Sequence, residues 1–192
     1  YVIRGFVALW LVCVGLPSFA QNIPVFYRHK KQQWVDSVFQ TMTPDERLAQ
    51  LFMVAAYSNR DTAHVNQLER QVRDLKVGGL IFFQGGPVRH AVMLNRLQAA
   101  SQVPMLIAMD AEWGVGMRLD STIDYPRQMT LGAIQDEELI YDLGVEVARQ
   151  CKRLGIHVNF APVVDVNSNA ANPVIGTRSF GENKIRVANK GI

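Results

Sequence analysis

Asp110 and Glu112 stand two residues apart at the end of an apolar run, "VPMLIAMD" (103–110), and Arg118 follows in the next loop. A second polar group comes later. His157 and Asn159 lie in "IHVNFAPVVDV" (156–166), Asp165 and Asn167 close it, and Asn172 and Arg178 sit in "NPVIGTRSFG" (172–181). Carboxylates accept hydrogen bonds from hydroxyls, and guanidinium groups donate to hydroxyl or carbonyl oxygens. The indole of Trp113 can cover the apolar face of a sugar. Two loops of this kind, rimmed by Trp113 and Phe180, describe a site for a polar, neutral, hydroxyl-rich ligand. Each residue also has a structural use: Asp110 as a turn cap, Arg118 and Arg178 as partners of surface carboxylates. Asp165 and Asn167 read as structural, turning back on their own backbone to hold a long loop. His157, inside an apolar strand, reads as a satisfied core histidine. No His/Cys/Asp cluster has metal-ligand spacing and no Gly-x-Ser-x-Gly elbow occurs, so neither a metal nor an organic cofactor is expected.

The elements that must position these groups alternate. "TPDE" (43–46) is a helix start, with Thr43 as N-cap, Pro44 at the first helical position and Glu46 closing a capping box. "LFMVAAY" (51–57), "GGLIFF" (78–83) and "VPMLIAMD" are apolar throughout, as strands buried on both faces are. A fourth strand lies within 156–166. Helical spacing fills 33–42, 64–75, 87–100 and 137–154, the last stopped by Gly155, and another helix starts at Lys184. Strand–helix alternation predicts an α/β fold with a parallel sheet, either doubly wound or part of an eight-stranded barrel; four units make half a barrel. Ligands of such folds meet the C-terminal ends of the strands, where the polar residues collect. No Gly-x-Gly-x-x-Gly follows the first strand. "GGP" (85–87) reads as a tight connection, with a phosphate cradle as the alternative.

Of 192 residues, 48% are hydrophobic and 19% charged, with a formal charge of +3, which supports one ordinary core and no disordered class. The only dense basic run, Arg28 to Lys31, reads as a solvated linker, so no nucleic-acid partner is expected. Residues 1–20 carry one charge, Arg4, an apolar run from Phe6 to Leu16, a break at Pro17 and small residues at Ser18 and Ala20. This is the pattern of a secretory signal cut after Ala20, followed by a linker over 21–32 and the folded domain over 33–192. The run is short for a membrane span, so no membrane partner is expected after cleavage, and the expected location is periplasmic or extracellular. Cys13 falls in the signal, leaving Cys151 as a buried small hydrophobe.

In order along the chain, "TPDERLAQLFMVA", "VGGLIFF", "PMLIAMDAEWGVGMRL", "LGIHVNFAPVVDV" and "NPVIGTRSFG" resemble the N-terminal domain of glycoside hydrolase family 3, in its β-N-acetylglucosaminidase (β-hexosaminidase) subgroup. The resemblance implies the first half of a (β/α)8 TIM barrel, ending after about four βα units. It also implies a carbohydrate partner: Asp110 accepting from the ring hydroxyls of a terminal N-acetylglucosamine, with Arg118 and Arg178 donating. Its substrates would be peptidoglycan fragments or chito-oligosaccharides, cleaved with retention.

The third-strand motif departs from the subgroup's Asp-x-Glu-Gly-Gly-Arg-Val. Trp113 replaces the first glycine, Val115 the arginine and Gly116 the valine, which places an indole near the pocket mouth. The subgroup's Lys-His-x-Pro-Gly-His-Gly segment and its later nucleophilic aspartate do not occur in these 192 residues. Retaining hydrolysis needs both a nucleophile and an acid/base. The expectation is therefore the front part of a longer enzyme, with no catalytic residue of its own and no turnover in isolation. The other readings are a non-catalytic sugar-binding module, or a barrel aldolase or phosphate-sugar enzyme using the Gly85–Gly86 turn.

Overall fold

A computed structural model describes residues 32–192; those up to Thr41 belong to one compact unit and Met42–Ile192 form another. The signal sequence, the basic run and all but one residue of the linker lie outside the described residues. Helix α1 (Gln33–Thr41) belongs to the first unit.

Thr43 opens α2 (Pro44–Ala49) with the expected capping box: its hydroxyl accepts from the Glu46 amide, and the Glu46 carboxylate accepts from the Thr43 amide at 2.8 Å. Strand β1 (Met53–Ala56) follows. Helix α3 (Thr62–Arg70), N-capped by Asp61, runs into a wider turn (Gln71–Leu75) that ends at Lys76 in the left-handed region, φ 56°. The single helix expected over 64–75 is thus two pieces. Then come β2 (Gly79–Phe82), α4 (Pro87–Ala100) and β3 (Leu106–Met109). Two helices, α5 (Gln128–Gly132) and α6 (Glu137–Arg153), separate β3 from β4 (Val158–Asn159), and α7 (Lys184–Gly191) comes last.

The four strands are parallel and lie in the order β1-β2-β3-β4, with Val54, Leu80 and Ile107 in register. A doubly wound sheet reverses its strand order at a switch point; a barrel adds each strand beside the last. The sequential order is that of a barrel. Leu80, Phe82, Ile107 and Met109 are fully buried against Leu68 and Val72 of the α3 region, Met93 and Leu97 of α4, and Cys151 of α6. Each large side chain buried there stabilises the fold by roughly 1.5–3 kcal/mol. The opposite sheet face is more open: Ala55 and Leu106 are exposed and Ile81 half-buried. Ala108 on that face is buried, so the expectation of strands buried on both faces is met in full only on the face that the helices cover.

The fourth strand lies within 156–166 as expected and has two residues, because the chain beyond it is held by side chains instead of a ladder. The buried Gln128 donates to the Val163 carbonyl at 2.7 Å and accepts from its amide at 3.0 Å, and Pro162 has no amide to offer a neighbour. His157 is exposed, not core; its Nδ1 accepts from the Ile107 amide at 3.0 Å at the edge of the sheet. The long loop is turned back on itself by Asn169 and Asn172, whose side chains accept from Ala171, Val174 and Ile175 amides, not by Asp165 and Asn167. The Asn167 side-chain oxygen is buried with no partner. Cys151 is a buried thiol, as expected, its pKa pushed up by burial.

Candidate functional site

The site is built where β3 and β4 release their chains. Asp110 is the first residue after β3. The segment then turns at Gly114 (φ 83°) into a single 3-10 turn, Val115–Met117, and Val115 anchors it in the core. A side chain at Gly114 would come within 2.6 Å of the Tyr125 ring, so the turn requires glycine for both space and backbone conformation. This brings Arg118 back over the strand end. Its Nη2 donates to Asp110 Oδ2 at 2.6 Å, with side-chain exposures of 14% and 27%. The Arg118 Nε is buried and unpartnered, and no hydrogen bond is made by Asp110 Oδ1 among the described residues.

Arg178 reaches the same place from the β4 side. It ends a 3-10 turn, Gly176–Arg178, that follows the Asn172 turn. The next residues are fixed: Ser179 is buried and donates to the Asp165 carbonyl at 2.6 Å, and Phe180 packs with Leu131 and Val187. Phe180 is thus core, not rim. The Arg178 guanidinium forms a fork with Glu112, Nε to both carboxylate oxygens at 3.1 and 3.0 Å and Nη2 to Oε1 at 2.6 Å. Glu112 is only 4% exposed. Its hydrogen bonds raise the Arg178 pKa, and the charges of Asp110 and Asp165 add to that effect. The field of Asp110 therefore acts on both arginines.

Asp110, Arg118 and Arg178 are brought together, while the Trp113 indole has a partner of its own. One face of the indole is covered by Arg127, whose Cζ lies 3.4 Å from the ring centroid. Trp113 also lines a cleft of about 810 Å3, which Glu112, His157 and Asn159 share with Leu131, Ile140 and Val147. Most of that cleft's wall is aliphatic. A hydroxyl-rich ligand needs converging donors and acceptors; Asp110, Arg118 and Arg178 supply these, and none of the three lines the cleft.

Phe83 and Tyr57 complete the site without having been assigned roles from sequence, and Glu112, read there with Asp110 as an acceptor of hydroxyls, holds Arg178 instead. The Arg118 Cζ sits 4.7 Å from the centroid of the Phe83 ring, which stacks on Tyr57. Both aromatics directly follow a strand, β2 or β1, so the strand-end rule that selected Asp110 would have found them. The fork between Glu112 and Arg178 joins residues 66 positions apart, and no local spacing announces it. Gly85 and Gly86 are no phosphate cradle. The Gly85 amide donates to the Arg118 carbonyl at 3.0 Å and the Gly86 amide to the Ser58 hydroxyl at 3.4 Å.

The chain matches the glycosyl hydrolase family 3 N-terminal domain over residues 43–191. A β-N-acetylglucosaminidase/β-glucosidase of Cellulomonas fimi is 30% identical over 158 residues, covering 82% of this chain and 27% of that protein. β-Hexosaminidase A of Pseudoalteromonas piscicida is 34% identical over 139 residues, 66% of this chain and 23% of its own length. The chain thus spans about a quarter of the length of these two curated relatives. Among solved structures, a family 3 β-N-acetylglucosaminidase from Paenibacillus sp. str. FPU-7 superposes with a TM-score of 0.68 at 32% identity, over 78% of this chain and 30% of that one. A β-glucoside phosphorylase, BglX, gives a TM-score of 0.75 at 22% identity, a likeness of fold. With the sequential parallel strands and the polar residues gathered at their C-terminal ends, the chain belongs to glycosyl hydrolase family 3, as part of its TIM-barrel-like N-terminal domain.

Proposed function

We propose that this chain carries the sugar-binding part of an exported, retaining β-N-acetylglucosaminidase. In this reading Asp110, Arg118 and Arg178 hold the hydroxyls of a terminal, β-linked N-acetylglucosamine. The observation that carries the reading is the meeting of two carboxylate–guanidinium pairs, Asp110–Arg118 and Glu112–Arg178, on the turns that leave β3 and β4. Asp110 Oδ1 accepts from a ring hydroxyl, since Oδ2 is taken by Arg118. The Arg178 Nη1, which donates one N–H to the Val174 carbonyl at 3.4 Å, has a second N–H that donates to another. Because each guanidinium already faces a carboxylate, the pocket has no excess positive charge with which to hold a phosphate. That favours a neutral sugar over a sugar phosphate. These residues bind and orient; the nucleophile and acid/base that retention requires are not among them. Peptidoglycan fragments or chito-oligosaccharides are the substrates we propose, and the signal-like first 20 residues support export.

Calorimetric titration of the chain tests the reading. N-Acetylglucosamine should bind, and glucose 6-phosphate should not. Arg178→Met should weaken N-acetylglucosamine binding by about 10-fold or more, the loss of one charge-assisted hydrogen bond at about 1.5–3 kcal/mol. Unchanged affinity in Arg178→Met, or tighter binding of the phosphate sugar, would overturn it.

A further inference from the structure

The sequence singled out the turn after β2 as a phosphate cradle or a plain connection, and its amides are already occupied. We propose a third use: the segment from Phe83 to Gly85, backed by Tyr57 and Ser58, is the positioning element for Arg118. Its side-chain and backbone contacts set the direction in which that guanidinium meets Asp110 and a ligand. The inference rests on the sugar-site reading only for what Arg118 is held ready to bind.

Arg118 needs such a device. It makes one hydrogen bond to Asp110, through Nη2 alone, and its Nε has no partner. A single bond at one tip leaves the guanidinium plane free to swing about it, in contrast to the fork that fixes Arg178. What fixes the plane of Arg118 is the Phe83 ring, 4.7 Å from Cζ. The side chain is only 14% exposed, and a cation–π contact strengthens as water is excluded. The backbone is held from the same turn. The Gly85 amide donates to the Arg118 carbonyl at 3.0 Å, the Asp120 amide donates to the Gly85 carbonyl at 2.9 Å, and Gly85 pairs with Leu119 as an isolated parallel bridge.

The turn is itself immobilised from β1. The Phe83 amide donates to the Ala56 carbonyl at 2.8 Å. Its ring stacks on Tyr57, with centroids 5.3 Å apart and planes 19° from parallel. Tyr57 carries the Arg60 guanidinium 3.8 Å from its own centroid, and its amide donates to His64 Nε2 at 3.1 Å. Gly85 has no room for a side chain: a Cβ there would lie 1.8 Å from the Ser58 hydroxyl. Phe83 is half-buried and absent from the fully buried core, so filling the interior is not its main use.

The experiment reads the Arg118 side chain directly. In the ligand-free full chain, the Arg118 Nε–Hε NMR signal, identified by its loss in Arg118→Lys, lies under the ring current of Phe83. It should move downfield in Phe83→Leu and stay in place in Phe83→Tyr, which keeps the ring. Affinity for N-acetylglucosamine should fall about two- to five-fold in Phe83→Leu, the worth of a cation–π contact, and recover in Phe83→Tyr. If Phe83→Leu does not fold, Gly85→Ala serves instead: it pushes the turn off Ser58 and should move the same signal. An Arg118 signal that stays in place in the folded variant without the ring, or in Gly85→Ala, overturns the positioning role. Absence of N-acetylglucosamine binding by the unaltered chain would sink the sugar-site reading instead, and the NMR comparison still decides the positioning.

Discussion

Glu112 gives the sharpest prediction about the site. Glu112→Gln preserves shape and volume and removes only the charge and one acceptor. The carboxylate receives three contacts from Arg178, two from Nε and one from Nη2 at 2.6 Å. A glutamine keeps one carbonyl oxygen and turns an NH2 group toward the N–H donors of the arginine, so at least one charge-assisted bond is lost. Breaking a fully buried pair costs about 3–5 kcal/mol. Glu112 is 4% exposed but Arg178 is 37% exposed, so water rehydrates the arginine and screens the loss. The expected destabilisation is therefore about 2 kcal/mol, within the range for hydrogen bonds to charged groups. For a chain of this length that lowers the thermal midpoint by roughly 4–8 °C.

Urea unfolding of four proteins measures it: the unaltered chain, Glu112→Gln, Arg178→Met and the double variant. If the two side chains act as one unit, the second substitution costs little once the first is made, and the coupling energy should be about 1–2 kcal/mol. The same fork places Arg178 for a ligand, so Glu112→Gln should also weaken N-acetylglucosamine binding without touching the sugar. Additive effects on stability, with coupling below about 0.3 kcal/mol, would refute the reasoning that Glu112 holds Arg178.

Two other predictions concern the frame behind the site. His90 is fully buried, its Nε2 donating to the Leu154 carbonyl at 3.0 Å and its Nδ1 unpartnered, and burial lowers its pKa. The unfolded chain then takes up a proton below about pH 6.5 that the folded chain resists, so stability should be full above that pH and fall toward pH 5, by at most about 1.4 kcal/mol per pH unit; His64, shifted the same way, adds to the slope. Urea midpoints at both ends of that window should show the fall, and His90→Leu should flatten it; an unaltered slope would count against burial of a neutral imidazole. Gly132 packs with no space for a side chain, since a Cβ would lie 1.9 Å from the Phe180 carbonyl oxygen. Gly132→Ala should cost about 1–3 kcal/mol by overpacking and disturb the Arg178 turn two residues before Phe180, visible as faster amide exchange at Ser179.

The frame was legible where one short segment decides its own conformation. The capping box at Thr43 needs only Thr, Pro and Glu at fixed offsets, and α4 appears with the bounds that its spacing predicts. Leu80, Phe82, Ile107 and Met109 are buried as an apolar run between two helices requires. Legibility failed where a partner from elsewhere in the chain makes the decision. Nothing near residue 163 shows that Gln128 will take both of its backbone hydrogen bonds and end β4 early. Nothing near Trp113 shows that Arg127 will occupy its face. In the site itself, Asp110, Arg118 and Arg178 could be chosen by their place after strands, but which carboxylate holds which arginine is a tertiary fact.

That division has a chemical consequence. A guanidinium offers five N–H donors, and a site that must read hydroxyls cannot leave all five to water. Here one edge of Arg178 is committed to Glu112, a tip of Arg118 to Asp110, and the face of Arg118 to Phe83. The remaining donors point where the turns aim them, with their orientation settled before a ligand arrives. Pre-orientation lowers the ordering cost of binding, and pairing of each charge lowers the attraction for anions. The same arrangement therefore accounts for both properties proposed for the site: recognition of hydroxyl geometry and rejection of phosphate. Exchanging Arg178 for lysine separates the two, because the charge stays while the planar fork is lost. Arg178→Lys should lose sugar affinity nearly as far as Arg178→Met. It should gain no affinity for glucose 6-phosphate while Glu112 is present, and some once Glu112→Gln is added. A lysine variant that binds N-acetylglucosamine as well as arginine does would show that charge alone, and not the direction of the donors, defines the site.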